Sequence, residues 1–200
     1  MQLYIARHGE TEFNLEGRIQ GSGMDSPLTT KGIVQAKALG KSLAGINFDA
    51  VYSSPLKRAT DTVEIAFAGR YKPILDKRLV EIGLGAMEGM LWIDAAELYP
   101  AASSRLSDPV NYIAPTNGET MYDIINRVSA FMDDISKTSH KNVFVLTHGY
   151  TARVFQACAT GKSLLAVQLA NTYRNCEVAH YQNKNNTWNF TGIKPLEGEA

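Results

Sequence analysis

Apolar residues are arranged along the chain in two patterns, short continuous runs and stripes spaced at three and four residues. The runs at 2–7, 49–53 and Asn142–Thr147 predict β-strands, and the last is apolar enough for a central strand covered on both faces. The stripes predict helices over 29–43, over 56–68 with Pro55 in the first turn, and over 119–136. Strands that alternate with helices in this way are typical of an α/β fold.

Two further segments complete the predicted architecture. Residues 176–181 and 187–193, joined by the polar turn 183–186, predict a closing β-hairpin. The segment from about 83 to 117 mixes Gly, Met, Pro and aromatic residues with one short helical stretch, as expected for a flap over a site. We therefore predict one domain over 1–200, a three-layer α/β/α sandwich with a mostly parallel central sheet and a small flap subdomain.

Charge and cysteine content limit the classes of partner. The 20 basic and 20 acidic residues cancel and form no run of five like charges, which argues against a nucleic-acid or membrane partner. No stretch approaches the ~20 apolar residues that span a bilayer, and the first residues lack a signal-peptide pattern. Cys158 and Cys176 lie outside any CxxC spacing, which favours a reducing compartment. We expect a soluble cytoplasmic protein, either a monomer or a homodimer.

Two of the predicted strands end in the same dipeptide, histidine followed by glycine. His8–Gly9 follows the first strand, and His148–Gly149 follows the central one. Ligands of open α/β sheets bind at the carboxyl ends of the strands, so both histidines can face one pocket. A single histidine at a strand end is more often a structural residue, and the interpretation therefore depends on its neighbours.

The neighbouring residues supply anion donors and a carboxylate. Arg7, Arg58 and Asn14 can converge on one anion through guanidinium and amide donors, forming a phosphate cage without a metal. Within such a cage the neutral imidazole of His8 can attack phosphorus, provided that a backbone carbonyl or another acceptor fixes its tautomer. Glu81, after the strand-like residues 78–80, is the best-placed general acid, although composition alone also fits a surface glutamate.

Several sequence blocks, covering about three quarters of the chain in order, resemble one known family. They are LYIARHGETE at 3–12, Asn14, DSPLT at 25–29 with Gly32 and QA at 35–36, SSPLKRA at 53–59, Glu81 with EG at 88–89, and THG at 147–149. Together they resemble the phosphoglycerate mutase-like members of the histidine phosphatase superfamily. The resemblance implies a phosphohistidine at His8 and Glu81 as proton donor. It also implies phosphate binding by Arg7, Arg58 and His148, and a pocket lined by Asn14, Gln20, Gly21 and the backbone of Gly149.

The phosphatase and mutase branches of this family differ in how a second anionic group is held. Between Ile82 and Asn126 the chain has one basic residue, Arg105, whereas the glycolytic mutases have several there. This scarcity favours hydrolysis of a small phosphorylated metabolite over transfer. Six apolar or aromatic residues of the flap can either form an apolar wall for a monophosphate ester or simply pack the flap. They are Met87, Met90, Leu91, Trp92, Tyr99 and Tyr112.

Three alternatives remain beside a metal-independent phosphatase with a phosphate ester as its partner. The chain also resembles the alpha-ribazole phosphatases of cobalamin synthesis, which one sequence does not separate from broad-specificity bacterial phosphatases. A non-catalytic binding module is disfavoured because every residue of the expected machinery is present. A metal hydrolase is disfavoured because His8, His140, His148 and His180 show no ligand spacing. We therefore expect neither a metal nor a cofactor.

Overall fold

The computed structural model describes residues 1–194, whose strands form one mixed sheet between two layers of helices. The strands are β1 (Gln2–Arg7), β2 (Ala50–Ser53), β3 (Ile74–Leu75), β4 (Asn142–Thr147), β5 (Val178–Lys184) and β6 (Thr187–Lys194). The α-helices are α1 (Glu12–Leu15), α2 (Thr30–Ser42), α3 (Lys57–Phe67), α4 (Trp92–Leu98), α5 (Pro100–Ser103), α6 (Met121–Ser136), α7 (Gly149–Thr160) and α8 (Leu164–Leu169). Short 3-10 turns form at Lys77–Leu79, Gly85–Met87 and Ser104–Leu106.

The strand order β3-β2-β4-β1-β5-β6 brings the carboxyl ends of four parallel strands, β1 to β4, to one edge of the sheet. Strands β1 and β2 pair in parallel with β4, while β5 and β6 add an antiparallel hairpin beyond β1. The register pairs Arg7 with Thr147, so that the next residues, His8 and His148, leave the sheet side by side. The prediction of a mostly parallel sheet with two adjacent histidines at strand ends is confirmed.

Alternation of side chains along β1 divides the core into two clusters. Leu3 and Ile5 pack on one face of the sheet with residues of α6 and α7. Tyr4 and Ala6 pack on the other face with residues of α2 and α3. Helices therefore cover both faces, which confirms the three-layer α/β/α arrangement.

The helices predicted over 29–43 and 119–136 form close to their predicted bounds, and each begins at a side-chain cap. The Thr29 hydroxyl accepts a hydrogen bond from Gly32 N at the start of α2, and Thr120 forms a reciprocal capping box with Asp123 at the start of α6. Helix α3 begins only at Lys57, so Pro55 precedes the helix and the prediction of a proline in its first turn is wrong.

Residues 78–80 are not strand-like, contrary to the prediction. The Asp76 carboxylate accepts a hydrogen bond from Arg78 N at 2.8 Å and also binds the Arg78 guanidinium, which folds Lys77–Leu79 into a 3-10 turn. Glu81 therefore follows a tight turn that is fixed by a local carboxylate.

The segment 83–117 is more helical than predicted, since it contains α4, α5 and two 3-10 turns where one helical stretch was expected. Met87, Ala95 and Ala102 of this segment are buried in the same cluster as α6 and α7. The segment is thus packed against the main core. None of the helices within residues 1–194 is both long and apolar enough to cross a bilayer.

Candidate active site

A cavity of ≈ 180 Å³ opens at the carboxyl edge of the parallel strands. Eight of the nine predicted site residues line it, namely Arg7, His8, Asn14, Gln20, Gly21, Arg58, Glu81 and Gly149. The ninth, His148, is fully buried, and its ring centroid lies 5.1 Å from that of His8. The structure therefore brings together residues from six separate stretches of the chain at one small cavity.

His8 is held as a neutral imidazole with one free nitrogen. Its Nδ1 lies 2.7 Å from the carbonyl oxygen of Gly9, and because a carbonyl only accepts, Nδ1 must carry the proton. Burial, together with the charges of Arg58 and Arg7, holds the pKa of His8 well below its usual value. Nε2 is therefore the unprotonated atom, as a nucleophile requires.

His148 lies behind His8 and is bound on both ring nitrogens. Arg58 Nε donates to its Nδ1 at 3.2 Å, so its Nε2 carries the proton and donates to Ser54 Oγ at 2.8 Å. Burial, and then the charge of Arg58, hold the pKa of His148 well below its usual value. The resemblance implies that His148 binds phosphate, which stays a prediction; in the structure its two ring nitrogens bind Arg58 and Ser54.

Arg58, in the first turn of α3, is 1 % exposed and oriented by acceptors from the loop at residues 21–25. Its Nη2 donates to Gly21 O at 2.8 Å, and its Nη1 donates to Met24 O at 2.8 Å and to Asp25 Oδ1 at 3.0 Å. This loop therefore fixes the direction in which the Arg58 guanidinium faces the cavity.

Arg7, the last residue of β1, crosses the start of α7. Its Nη1 donates to Tyr173 O at 2.7 Å, while its Nε is buried without a hydrogen-bond partner among residues 1–194. A β-carbon at Gly149 would lie 3.4 Å from the guanidinium carbon, an ordinary van der Waals distance, so the Arg7 guanidinium packs directly against the helix start. Arg7 thus presents an unused donor next to backbone N–H groups that favour anions.

Glu81 is fixed against the first turn of α7. Its Oε2 accepts a hydrogen bond from Tyr150 N at 3.1 Å, and its Oε1 accepts from Thr151 N at 3.1 Å, from the Thr151 hydroxyl and from Ile82 N. Both carboxylate oxygens are therefore oriented at the cavity wall, on the same helix start that Arg7 crosses.

Asn14 and Gln20 line the cavity, but most of their polar atoms have protein partners. Gln20 donates to Thr11 Oγ1 and accepts from Ser26 Oγ, which uses both ends of its amide. Asn14 Oδ1 accepts from Thr11 N and from Asn175 Nδ2, which leaves its own amide nitrogen for the cavity. Asn175 also donates to His8 O at 2.9 Å. None of the sequence blocks that carry the family resemblance includes Asn175, so the sequence does not indicate this contact.

Glu88 is a second residue whose role the sequence does not reveal. Its Oε1 accepts from Ser22 N at 3.0 Å and Leu84 N at 2.9 Å, and its Oε2 accepts from Gly23 N at 2.9 Å. A β-carbon at Gly21, where φ is +58°, would lie 2.0 Å from Glu88 Oε1, so this loop requires glycine both for its conformation and for its contact. Glu88 thereby fixes the loop that orients Arg58.

More cationic side chains line the cavity than the single basic residue of the flap led us to expect. Arg18, Arg105 and Arg153 line it in addition to Arg7 and Arg58. Two of these three come from outside the segment in which basic residues were counted. Of the six proposed apolar wall residues only Trp92 lines the cavity, and Met87 is fully buried in the core. The argument that few cations favour hydrolysis over transfer is therefore weakened, and so is the proposal of an apolar wall for a monophosphate ester.

The arrangement as a whole suits chemistry on a phosphate ester. A neutral imidazole with a free Nε2 faces a cavity that also contains two guanidinium groups, a helix start and a fixed carboxylate. Among residues 1–194 no three His, Cys, Asp or Glu side chains are grouped as a metal site. This combination indicates a class of protein, an α/β protein whose site suits phosphate esters.

Comparison with known proteins identifies the family within this class. Residues 3–194 match the Histidine phosphatase superfamily (branch 1), and the chain belongs to that superfamily. It is 34% identical over 184 residues to Phosphoserine phosphatase 1 of Hydrogenobacter thermophilus, covering 90% of this chain and 84% of that protein. It is 30% identical over 194 residues to the Probable phosphoglycerate mutase GpmB of Proteus mirabilis, covering 96% and 89%.

A solved structure, that of Bacillus stearothermophilus YhfR, matches with a TM-score of 0.85 and 32% identity, covering 100% of this chain and 97% of that one. The putative alpha-ribazole-5'-P phosphatase of Escherichia coli matches with a TM-score of 0.85 and 26% identity, covering 98% of each chain. These similarities support phosphatase activity at the coarse level, because relatives named as phosphatases recur among them.

Proposed function

We propose that the protein hydrolyses a small phosphomonoester through a covalent phosphohistidine on His8, without a metal. The observation that carries the proposal is the hydrogen bond of 2.7 Å between His8 Nδ1 and Gly9 O, which leaves Nε2 free at the cavity. The lowered pKa of His8 keeps that nitrogen unprotonated beside the two arginines.

In the first step His8 Nε2 attacks phosphorus and the bond from phosphorus to the ester oxygen breaks. Arg7 and Arg58 neutralise the charge on the non-bridging oxygens, and the N–H groups at the start of α7 add partial positive charge. Glu81, which is fixed at the same helix start, supplies the proton that the departing oxygen needs. The products of this step are a free alcohol and a phosphohistidine.

In the second step Glu81 accepts a proton from a water molecule, whose oxygen attacks phosphorus as the bond to Nε2 breaks. His8 returns to its neutral form with the proton still on Nδ1, and inorganic phosphate leaves. His148 holds Arg58 in place throughout through the 3.2 Å contact with its Nε, which is a positioning role. We place this reaction in the cytoplasm, because Cys158 and Cys176 form no disulfide among residues 1–194, as is usual in a reducing compartment.

Relatives are named as phosphatases for phosphoserine and for alpha-ribazole phosphate and as a probable phosphoglycerate mutase, so these compounds are the first substrates to try. The test is hydrolysis of p-nitrophenyl phosphate by the wild type and by His8→Ala, with and without EDTA, beside a 3-phosphoglycerate mutase assay. We expect EDTA-resistant hydrolysis that falls by at least about 10³-fold in His8→Ala, since removal of a covalent nucleophile leaves only the rest of the site. Mutase turnover without hydrolysis would contradict the proposal.

A further inference from the structure

Arg105 is a buried cation in the cavity wall that forms no ion pair within residues 1–194. It belongs to the 3-10 turn Ser104–Leu106 of the flap, and only 6 % of it is exposed. Its Nε is buried without a hydrogen-bond partner, and no carboxylate among residues 1–194 forms an ion pair with it. An arginine stays charged in proteins, so a positive charge is buried here without a counter-ion.

Two aromatic rings fix the plane and position of this charge. The guanidinium carbon of Arg105 lies 4.4 Å from the ring centroid of Trp92 and 5.6 Å from that of Tyr150. Such contacts favour the cation and leave the edge of the guanidinium, which carries the N–H donors, open to other groups. The Tyr150 hydroxyl also donates to Arg105 O at 3.2 Å, which ties the turn to the start of α7.

The other cations of the cavity wall outside the phosphate cage are already bound. Arg153 donates to the carbonyl oxygens of Val167, Leu106 and Gln168. Arg18 donates to Gly89 O at 2.6 Å and forms an ion pair with Glu16. Arg105 therefore differs from both of them, because its donors remain available to a ligand.

The position of Arg105 relates it to the leaving group. Glu81, the proposed proton donor to the departing oxygen, binds Tyr150 N, and the ring of the same Tyr150 packs on Arg105. Glu81 and Arg105 line the same cavity, and although burial lowers the pKa of Arg105, the charge of Glu81 acts in the opposite direction. The alcohol portion of an ester whose oxygen lies at Glu81 therefore extends toward Arg105.

We infer that Arg105 binds a carboxylate on the alcohol portion of the substrate, which makes the substrate a phosphorylated hydroxy acid. This inference rests on the proposed function. A carboxylate matches the single charge and the planar fork of one guanidinium, whereas a second phosphate dianion calls for more than one cation. The volume of ≈ 180 Å³ suits a compact molecule in which the two anionic groups are a few bonds apart.

The test uses two substrate pairs that differ at the carboxylate. The first pair is 3-phosphoglycerate and glycerol 3-phosphate, and the second is phosphoserine and phosphoethanolamine. We expect the wild type to hydrolyse the acid of each pair with a kcat/KM about 10- to 100-fold higher, as expected for one hydrogen-bonded charge pair. In Arg105→Met this preference should fall to less than about threefold, while kcat/KM for the carboxylate-free substrates changes little.

Two further variants test whether the preference depends on the guanidinium geometry of residue 105, and whether any arginine of the cavity wall would supply it. Arg105→Lys keeps the charge but loses the fork, and should retain part of the preference. Arg18→Met removes a cavity-wall arginine whose donors already have partners, and should retain all of it. Calorimetric binding of the same compounds to His8→Ala gives a readout that does not depend on turnover, and the acids should bind more tightly there by the same factor.

The outcomes separate this inference from the proposed function. If the wild type hydrolyses both members of each pair equally, the inference is wrong while the proposed function stands. Equal losses on both members in Arg105→Met would also overturn it, because they would assign Arg105 a purely structural role. If the wild type hydrolyses nothing, the proposed function fails, and the calorimetric comparison of acid and non-acid alone decides whether Arg105 binds a carboxylate.

Discussion

The free energy of unfolding should depend on pH, because two histidines are buried beside two arginines in the site. His8 and His148 are 3 % and 0 % exposed, and burial with the charge of Arg58 lowers the pKa of both well below 6.5. In an unfolded chain both would titrate near 6.5. Below that pH the unfolded state therefore binds more protons than the folded state does.

The sign of the resulting pH dependence follows directly. The free energy of unfolding rises with pH wherever the unfolded chain binds more protons, so it should be at its full value above pH 6.5 and fall below it. Each histidine can contribute a slope of up to about 1.4 kcal/mol per pH unit in that window. Urea unfolding between pH 5 and pH 7.5 measures the slope.

The asparagine variant His8→Asn provides the control for this prediction. It keeps a donor for Gly9 O but does not titrate, so the slope between pH 5 and 6.5 should decrease by up to about 1.4 kcal/mol per pH unit. An unchanged slope in His8→Asn would mean that His8 takes up a proton in the folded state as readily as in the unfolded one.

At the scale of elements, the catalytic geometry depends on a loop that binds Arg58 through two backbone carbonyl oxygens and the Asp25 carboxylate. The loop at residues 21–25 orients Arg58 through the carbonyl oxygens of Gly21 and Met24. It is held in turn by Glu88, which accepts hydrogen bonds from three backbone N–H groups. A carboxylate outside the cavity wall therefore determines the orientation of a guanidinium within it.

Glu88→Gln tests this arrangement. An amide nitrogen in place of one oxygen cannot accept from the N–H that faces it, so the loop should loosen and Arg58 should lose its fixed direction. We expect kcat to fall by about 10- to 100-fold, because small misplacements of catalytic groups are costly, with a smaller change in KM. Steady-state kinetics on p-nitrophenyl phosphate measure both constants.

The matched control is Glu64→Gln, which makes the same chemical change at an exposed position of α3. It should leave kcat at the wild-type value. A wild-type kcat in Glu88→Gln would show that the loop keeps its conformation without the carboxylate.

Elements whose signals are local could be predicted, and contacts between distant residues could not. Strand β4 was predicted at its observed bounds because a run of apolar residues is a local signal. Asn175 contacts His8 across 167 positions of sequence, and no pattern near either residue encodes that contact. The 3-10 turn at 77–79 was missed because the apolar pair Leu79–Val80 suggested a strand, while the Asp76 side chain decided the conformation.

At the scale of the whole molecule, α6 joins the sheet side of the cavity to the flap. Arg127 donates to the carbonyl oxygens of Arg78, Val80 and Glu81, and it binds both carboxylate oxygens of Glu119. Glu119 in turn accepts from Gly83 N, which pairs the two ends of the flap. The Arg127 side chain thus fixes two features: the turn that precedes Glu81, the proposed general acid, and the segment where the two ends of the flap meet.

Arg127→Lys keeps the charge but cannot reach all of these acceptors with a single ammonium group. We expect the free energy of unfolding to fall by about 2–3 kcal/mol, since hydrogen bonds to a charged group are lost at a partly buried position. Amide hydrogen exchange should rise selectively around residues 80–84. Denaturant unfolding and exchange measured by mass spectrometry check the two effects.

Arg70→Lys is the control, because it makes the same replacement at an exposed arginine whose side chain binds Asn47. It should change stability by less than about 0.5 kcal/mol. A similarly small effect of Arg127→Lys would contradict the role assigned to Arg127.

The position of β1 in the sheet also determines when the protein can first become active during its synthesis. The first strand has only β4 and β5 as neighbours, and both come from the last third of the chain. When only residues 1–100 have been translated, β1 and His8 have therefore left the ribosome without a neighbouring strand to pair with. Pairings between such distant segments also fold slowly, so the growing chain is exposed to chaperones and proteases at least until β4 and β5 have been translated.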